Sequence, residues 1–182
     1  DGRFCLYQST AMHLVVDVQG YFAPTATTAG TNLFTPVSTR RTLDTALRTW
    51  CTPDSDCVAP SAVPATTEVV NTAASPVAAV ATLATITART PAANGYVAAD
   101  TCDSLRPDVA PSSNLNFAAG DVAVANLAVA ASTSTEQGVQ FCTWSPASLH
   151  ERIAVHGFFA PAELGGLGYS VAEQQRLVDT RQ

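Results

Sequence analysis

Residues 139–161, VQFCTWSPASLHERIAVHGFFAP, decide the reading of this chain, because residues 2–24, GRFCLYQSTAMHLVVDVQGYFAP, say nearly the same thing. Without a gap, Phe4 falls on Phe141, Cys5 on Cys142, Tyr7 on Trp144 and His13 on His150. Val18 then falls on Val155, Gly20 on Gly157, Phe22 on Phe159 and Pro24 on Pro161. The second half of the motif alternates as a strand does. Leu149, Ile153, Val155 and Phe159 are expected to share an inward face, with His150, Arg152 and His156 opposite. In the N-terminal copy Met12, Leu14, Val16, Val18 and Phe22 are expected inward, and His13, Asp17, Gln19 and Tyr21 outward.

A second duplication follows the first. FTPVSTRRTLDT, from Phe34, matches YSVAEQQRLVDT, from Tyr169, so that Arg41 falls on Arg176, Leu43 on Val178, Asp44 on Asp179 and Thr45 on Thr180. The two matches are collinear, and the spacing changes only in the connectors PTATTAGTNL and PAELGGLG, which are rich in Pro, Gly or Thr and lack strand alternation. The chain therefore reads as a repeat protein cut out of phase. Residues 1–24 are the tail of one repeat, 25–33 a linker, 34–160 a complete repeat, 161–168 a second linker, and 169–182 the head of another repeat.

Within the complete repeat the signal is β throughout. TEVVNTA, PVAAVATLATITA, NGYVAADTC, SSNLNFA, DVAVANLAVAAS and GVQFCTW are strand candidates, separated by turn signals such as PAANG, RPDVAPSS, AAGD and TEQG. No stretch carries helical period with caps. The expected fold is all-β: a β-sandwich of short antiparallel strands with partial flanking repeats.

Composition narrows the function classes. Only 13% of the 182 residues are charged, against roughly a quarter in an ordinary domain. All nine basic residues are Arg, which removes lysine Schiff-base chemistry and lysine isopeptide cross-links. A net charge of −6 without a basic cluster argues against nucleic acid or an anionic membrane as partner. The longest apolar stretch is broken by Pro and Thr, so membrane insertion is not expected. Five Cys suggest an oxidising compartment, and Cys51 and Cys57 in CTPDSDC have the spacing of a small disulfide loop. With no signal peptide and an initial Asp, the chain reads as a mature or excised piece of a secreted protein.

The combination RTLDT, PAANGYVAADTC, SSNLNFAAGDVAVANLAV, QFCTW and VVDVQGYFAP resembles a secreted repeat domain common in Actinobacteria. That domain has an RLLDTR head, an SNLN segment and a VDVxGYF tail, and occurs in tandem or C-terminal to cell-wall hydrolases. The resemblance runs from Gly2 to Arg181 and implies an extracellular, wall-associated location without an activity. It also implies a Cys102–Cys142 disulfide, which leaves Cys5 unpaired or linked to another molecule. The complete repeat departs from the pattern with VHGFF in its tail, where Ala154 replaces an acidic residue, and with RTLDTALR in its head.

No catalytic residue is expected, because the chain lacks a GxSxG elbow and an HExxH motif. No metal or cofactor is expected either; Asp103 and Asp108 bracket a turn, where Asp normally caps backbone N–H groups. A carbohydrate-binding face could be assembled from His13, Gln19 and Tyr21 in one copy and His150, His156 and Phe158 in the other, with Trp144 and Trp50 as further rings. The alternative use of the same aromatics is to fill an interface between repeats or sheets. Arg41 with Asp44, and Arg176 with Asp179, are expected as structural ion pairs. The expected function is a non-catalytic structural or adhesive repeat of an extracellular or cell-surface assembly, polymerising by strand exchange between its partial repeats. Its partners would be copies of itself or adjacent repeats. The alternative is a binding module for cell-wall polysaccharide, attached to a secreted hydrolase.

Overall fold

A computed structural model describes residues 4–7, 11–24, 32–46, 67–72, 78–105, 112–136 and 138–181. Apart from one 3-10 turn at Ala162–Leu164, its regular structure is β. The strands are β1 (Val15–Pro24), β2 (Asn32–Asp44), β3 (Thr67–Thr72), β4 (Ala81–Arg89), β5 (Gly95–Asp100) and β6 (Leu115–Phe117). They continue with β7 (Ala123–Ala131), β8 (Thr133–Thr135), β9 (Gly138–Trp144), β10 (His150–Pro161) and β11 (Leu167–Asp179). One sheet has the order β1-β11-β2-β10-β4-β7; the other runs β3-β9-β5-β6, with β8 also on β9. All pairs are antiparallel.

Alternation explains why these segments bury one face. In β4, Thr82, Ala84, Ile86 and Ala88 are buried, while Leu83, Thr85 and Thr87 between them are half-buried. The core joins both sheets in one cluster that includes Leu43, Ile86, Val97, Leu115, Val139, Phe141, Leu149, Ile153, Val155 and Phe158. Six of its members are alanines of β4, β5, β7 and β10, so a few large side chains fill the volume between small ones. Two polar pairs lie inside: Thr82 and Ser132 share a hydrogen bond of 2.9 Å, and the buried Thr143 hydroxyl donates to Glu151 at 2.8 Å.

Three expectations about facing are corrected. Phe158, not Phe159, enters the core, because the ladders of β10 shift register between Val155 and Gly157. Such an irregularity inserts one residue into the period of two and turns every later side chain over. The same shift occurs in β1 between Val18 and Gly20, so Tyr21 rather than Phe22 takes the core-type position. Met12, expected inward, is exposed.

Gly157 is required at its position, since the Phe34 ring lies over it and a Cβ would also come within 2.6 Å of the Thr35 carbonyl oxygen. We expect Gly157→Ala to destabilise the chain by about 1–3 kcal/mol, as overpacking does; urea unfolding followed by far-UV circular dichroism checks this.

Candidate functional site

The residues with the most to say about function lie where head and tail strands meet. β2 and β10, at the two ends of the segment that the sequence suggests is a complete repeat, pair from Arg152↔Asp44 to Pro161↔Asn32. The flanking fragments pair with each other, β1 on β11, from Val15↔Asp179 to Pro24↔Leu167. Each of the nine pairs in one ladder has its duplicated counterpart in the other, and both register shifts fall at equivalent places. Gly20 lies under Tyr169 as Gly157 lies under Phe34.

The end of each ladder is tied by the threonine of the Leu/Val-Asp-Thr motif. Thr45 N–H donates to the Glu151 carbonyl at 2.9 Å, and Glu151 N–H donates back to the Thr45 hydroxyl at 2.9 Å. In the fragment ladder Thr180 N–H donates to the Leu14 carbonyl at 3.0 Å, and Leu14 N–H to the Thr180 hydroxyl at 2.7 Å. His13 adds a bond from Nδ1 to the Thr180 carbonyl at 3.0 Å.

Ion pairs stand beside these ties. Asp44 is buried and accepts from Arg152 Nε at 3.0 Å, with Arg41 Nη1 at 3.3 Å. In the fragment ladder Arg176 bridges Asp17 at 2.9 Å and Asp179 at 3.2 Å, and Arg181 grips Asp179 at 2.6 Å. The Asp17 and Asp179 carboxyls are thereby held below their usual 3.8. For Asp17 the main cause is the hydrogen bond from Arg176; Asp179 is held at about 2, chiefly by the hydrogen bond from Arg181.

The two ladders touch at their other ends. β11 pairs with β2 at Leu167↔Phe34, and four rings gather there. Phe22 lies 4.6 Å from Phe34, 5.1 Å from Tyr169 and 6.4 Å from Phe159, and Phe34 lies 5.2 Å from Phe159. Phe22 and Tyr169 are the duplicates of Phe159 and Phe34, so the junction is built from two equivalent pairs of rings.

The proposed carbohydrate face is not assembled. Phe158 is in the core, turned there by the bulge, and Trp144 is buried against Tyr96, ring centroids 5.7 Å apart, beside the cluster of Ala98, Leu105 and Cys142. His156 is held between Thr85 at 2.7 Å and Thr39 at 3.0 Å. His150 is half-buried with Thr45 at 3.5 Å. Tyr21 and His13 are exposed, but Tyr21 lies within β1 and His13 before its start. The Gln19 side chain, Trp50 and Asp108 lie outside the described residues, as do Cys51 and Cys57.

Cys102 and Cys142 form a disulfide, whereas Cys5, the duplicate of Cys142, is a free and exposed thiol. Among the described residues no cluster of His, Cys, Asp and Glu is arranged to hold a metal, and no helix is long and apolar enough to cross a membrane. The sequence reading missed Thr45, Thr180, Arg152, Asp17 and the ring cluster. A signal for the threonines was present, since both copies of the head keep Asp-Thr. No family model, curated protein or solved structure matches the chain.

Two outcomes are expected. Depressed carboxyl pKa values stabilise the fold above the unfolded value and lose that contribution as pH falls through the folded one. Amide protection in β1 should therefore decline between about pH 4 and about pH 2. The loss should be modest, because the arginines stay half in water, and hydrogen exchange by NMR reads it against β4. Cys142→Ala, which opens a crosslink spanning 40 residues, should cost about 4 kcal/mol by loop entropy, measured by denaturant unfolding.

Proposed function

We propose that the chain is a non-catalytic structural repeat of an extracellular or cell-surface assembly, whose units join through the head–tail ladder. The observation that carries this reading is the pair-for-pair identity of the β1·β11 and β10·β2 registers. A contact built twice from separate segments is a contact that a head and a tail make whenever they meet. The tail of one molecule can thus pair with the head of the next. That contact is heterologous, so it extends into a filament when it does not close on itself. Closure within one chain is favoured at low concentration by its high effective concentration, and exchange between chains as protein concentration rises.

The resemblance to secreted actinobacterial repeats supports a wall-associated location, and a disulfide is compatible with an oxidising compartment. The ring cluster gives neighbouring units a defined junction rather than a flexible tether.

Sedimentation velocity across a concentration series tests this reading. Higher-order species should grow with concentration and be suppressed by Gly20→Val, which places bulk under Tyr169 and against the Ser170 carbonyl without touching the complete repeat. A monomer at every concentration, together with saturable retention on cell-wall polysaccharide, would reverse the choice in favour of a glycan-binding module.

A further inference from the structure

The tail fragment keeps apolar side chains where the complete repeat buries its core, and most of them face water. Phe4 is 59% exposed where Phe141 is fully buried, and Tyr21 is 58% exposed where Phe158 is 2% exposed. Met12 and Tyr7 are exposed at the positions of Leu149 and Trp144, and Val178 is exposed at that of Leu43. Two substitutions are matched to each other. Thr143 and Glu151, which hydrogen-bond inside the complete repeat, are replaced by Leu6 and Leu14. Exchanging both partners of a buried polar pair for apolar groups leaves no donor or acceptor unsatisfied, and the two leucines gain by burial when their positions again meet in a dry interior. They meet when residues 4–7 take the place that β9 holds beside β3 and β5. Cys5 repeats the logic covalently, because its duplicate Cys142 is bonded to Cys102.

We propose that the β1·β11 ladder, with residues 4–7, is the docking site for a further copy of the repeat body, the unit spanned here by residues 46–137. The cysteine of that body at the Cys102 position bonds Cys5. The occupant is a repeat body rather than a second β1·β11 face, because Cys142, the counterpart of Cys5, is bonded to Cys102; Phe158, the counterpart of Tyr21, packs in the core with residues of β4, β5 and β7; and the strand carrying the counterparts of Phe4 to Tyr7 pairs with β3 and β5. An exposed apolar face of this kind marks an interaction surface. The bond forms by exchange with a low-molecular-weight disulfide such as oxidised glutathione. The Cys5 thiolate attacks one sulfur and releases one glutathione thiolate. The deprotonated thiol of the incoming body then displaces the second, so two protein thiols become a disulfide and one small disulfide becomes two thiols. The inference rests on the repeat reading above and names the partner of its incomplete unit.

The test adds a copy of residues 46–137 directly before Asp1 of the full chain, which restores the order found around residue 138. The extended chain is refolded in a glutathione redox buffer and compared with the original by iodoacetamide labelling and non-reducing peptide mapping. In the original chain Cys5 should be either alkylated or capped by glutathione, and in the extended chain it should be bonded to the added cysteine at the Cys102 position. In an extended chain carrying Cys5→Ser, hydroxyl-radical footprinting of Tyr7 and Tyr21 should still fall several-fold, because packing does not depend on the bond. A Cys5 that is alkylated or capped by glutathione in the extended chain, with unchanged footprinting and the original Cys102–Cys142 bond intact, would overturn the docking site. That result leaves the assembly reading to the concentration series, which requires no added body.

Discussion

A strand with one buried face tolerates one register, and here the register of first strand against last is held by a glycine under an aromatic ring. The Phe34 ring occupies the space a side chain at Gly157 would need, and Tyr169 does the same over Gly20. The shift of register beside each glycine turns the following residues over. In the complete repeat that single inversion sends Phe158 into the core and leaves Phe159 to join Phe34 on the other side. Core filling and the contact between the two ladders therefore depend on one backbone event.

The rest of the domain is organised around that closure. Its facing strands are rich in alanine, so sheet separation rests on a few large residues, notably Phe141, Leu149, Ile153 and Phe158. Among the described residues the ion pairs stand at the ladder ends, where arginines meet Asp44 and Asp179. The ion-pair partners differ between the copies while the backbone ties do not. Arg152 reaches across to Asp44 in one ladder, and Asp17 reaches Arg176 in the other. The threonine ties and ring-over-glycine contacts are common to both, which marks them as the elements that define a head–tail joint.

Much of this was legible without coordinates. The double duplication identified which segments are equivalent, and alternation in residues 148–159 located the buried face correctly up to the first irregularity. Past Gly157 the period of two predicted the wrong phenylalanine, because a bulge leaves no mark in a hydrophobicity pattern. The same failure placed Phe158 on a sugar-binding face. Trp144 was misjudged for another reason: exposure of an aromatic on a strand depends on what covers it, and residues distant in sequence, Tyr96 and Leu105 among them, cover this one.

Local chemistry and internal repetition were enough to indicate an all-β chain, its duplicated segments and the alignment of Cys5 with Cys142, since each is a property of neighbouring residues or of one segment compared with another. Pairing of the two orphan segments with each other was decided only in three dimensions. So were the gathering of Phe22, Phe34, Phe159 and Tyr169 and the exposure of the tail's core-type residues. These outcomes depend on which partners a strand finds across 150 or so residues of chain, a choice governed by the free energy of the closed ladder rather than by any segment's own preference.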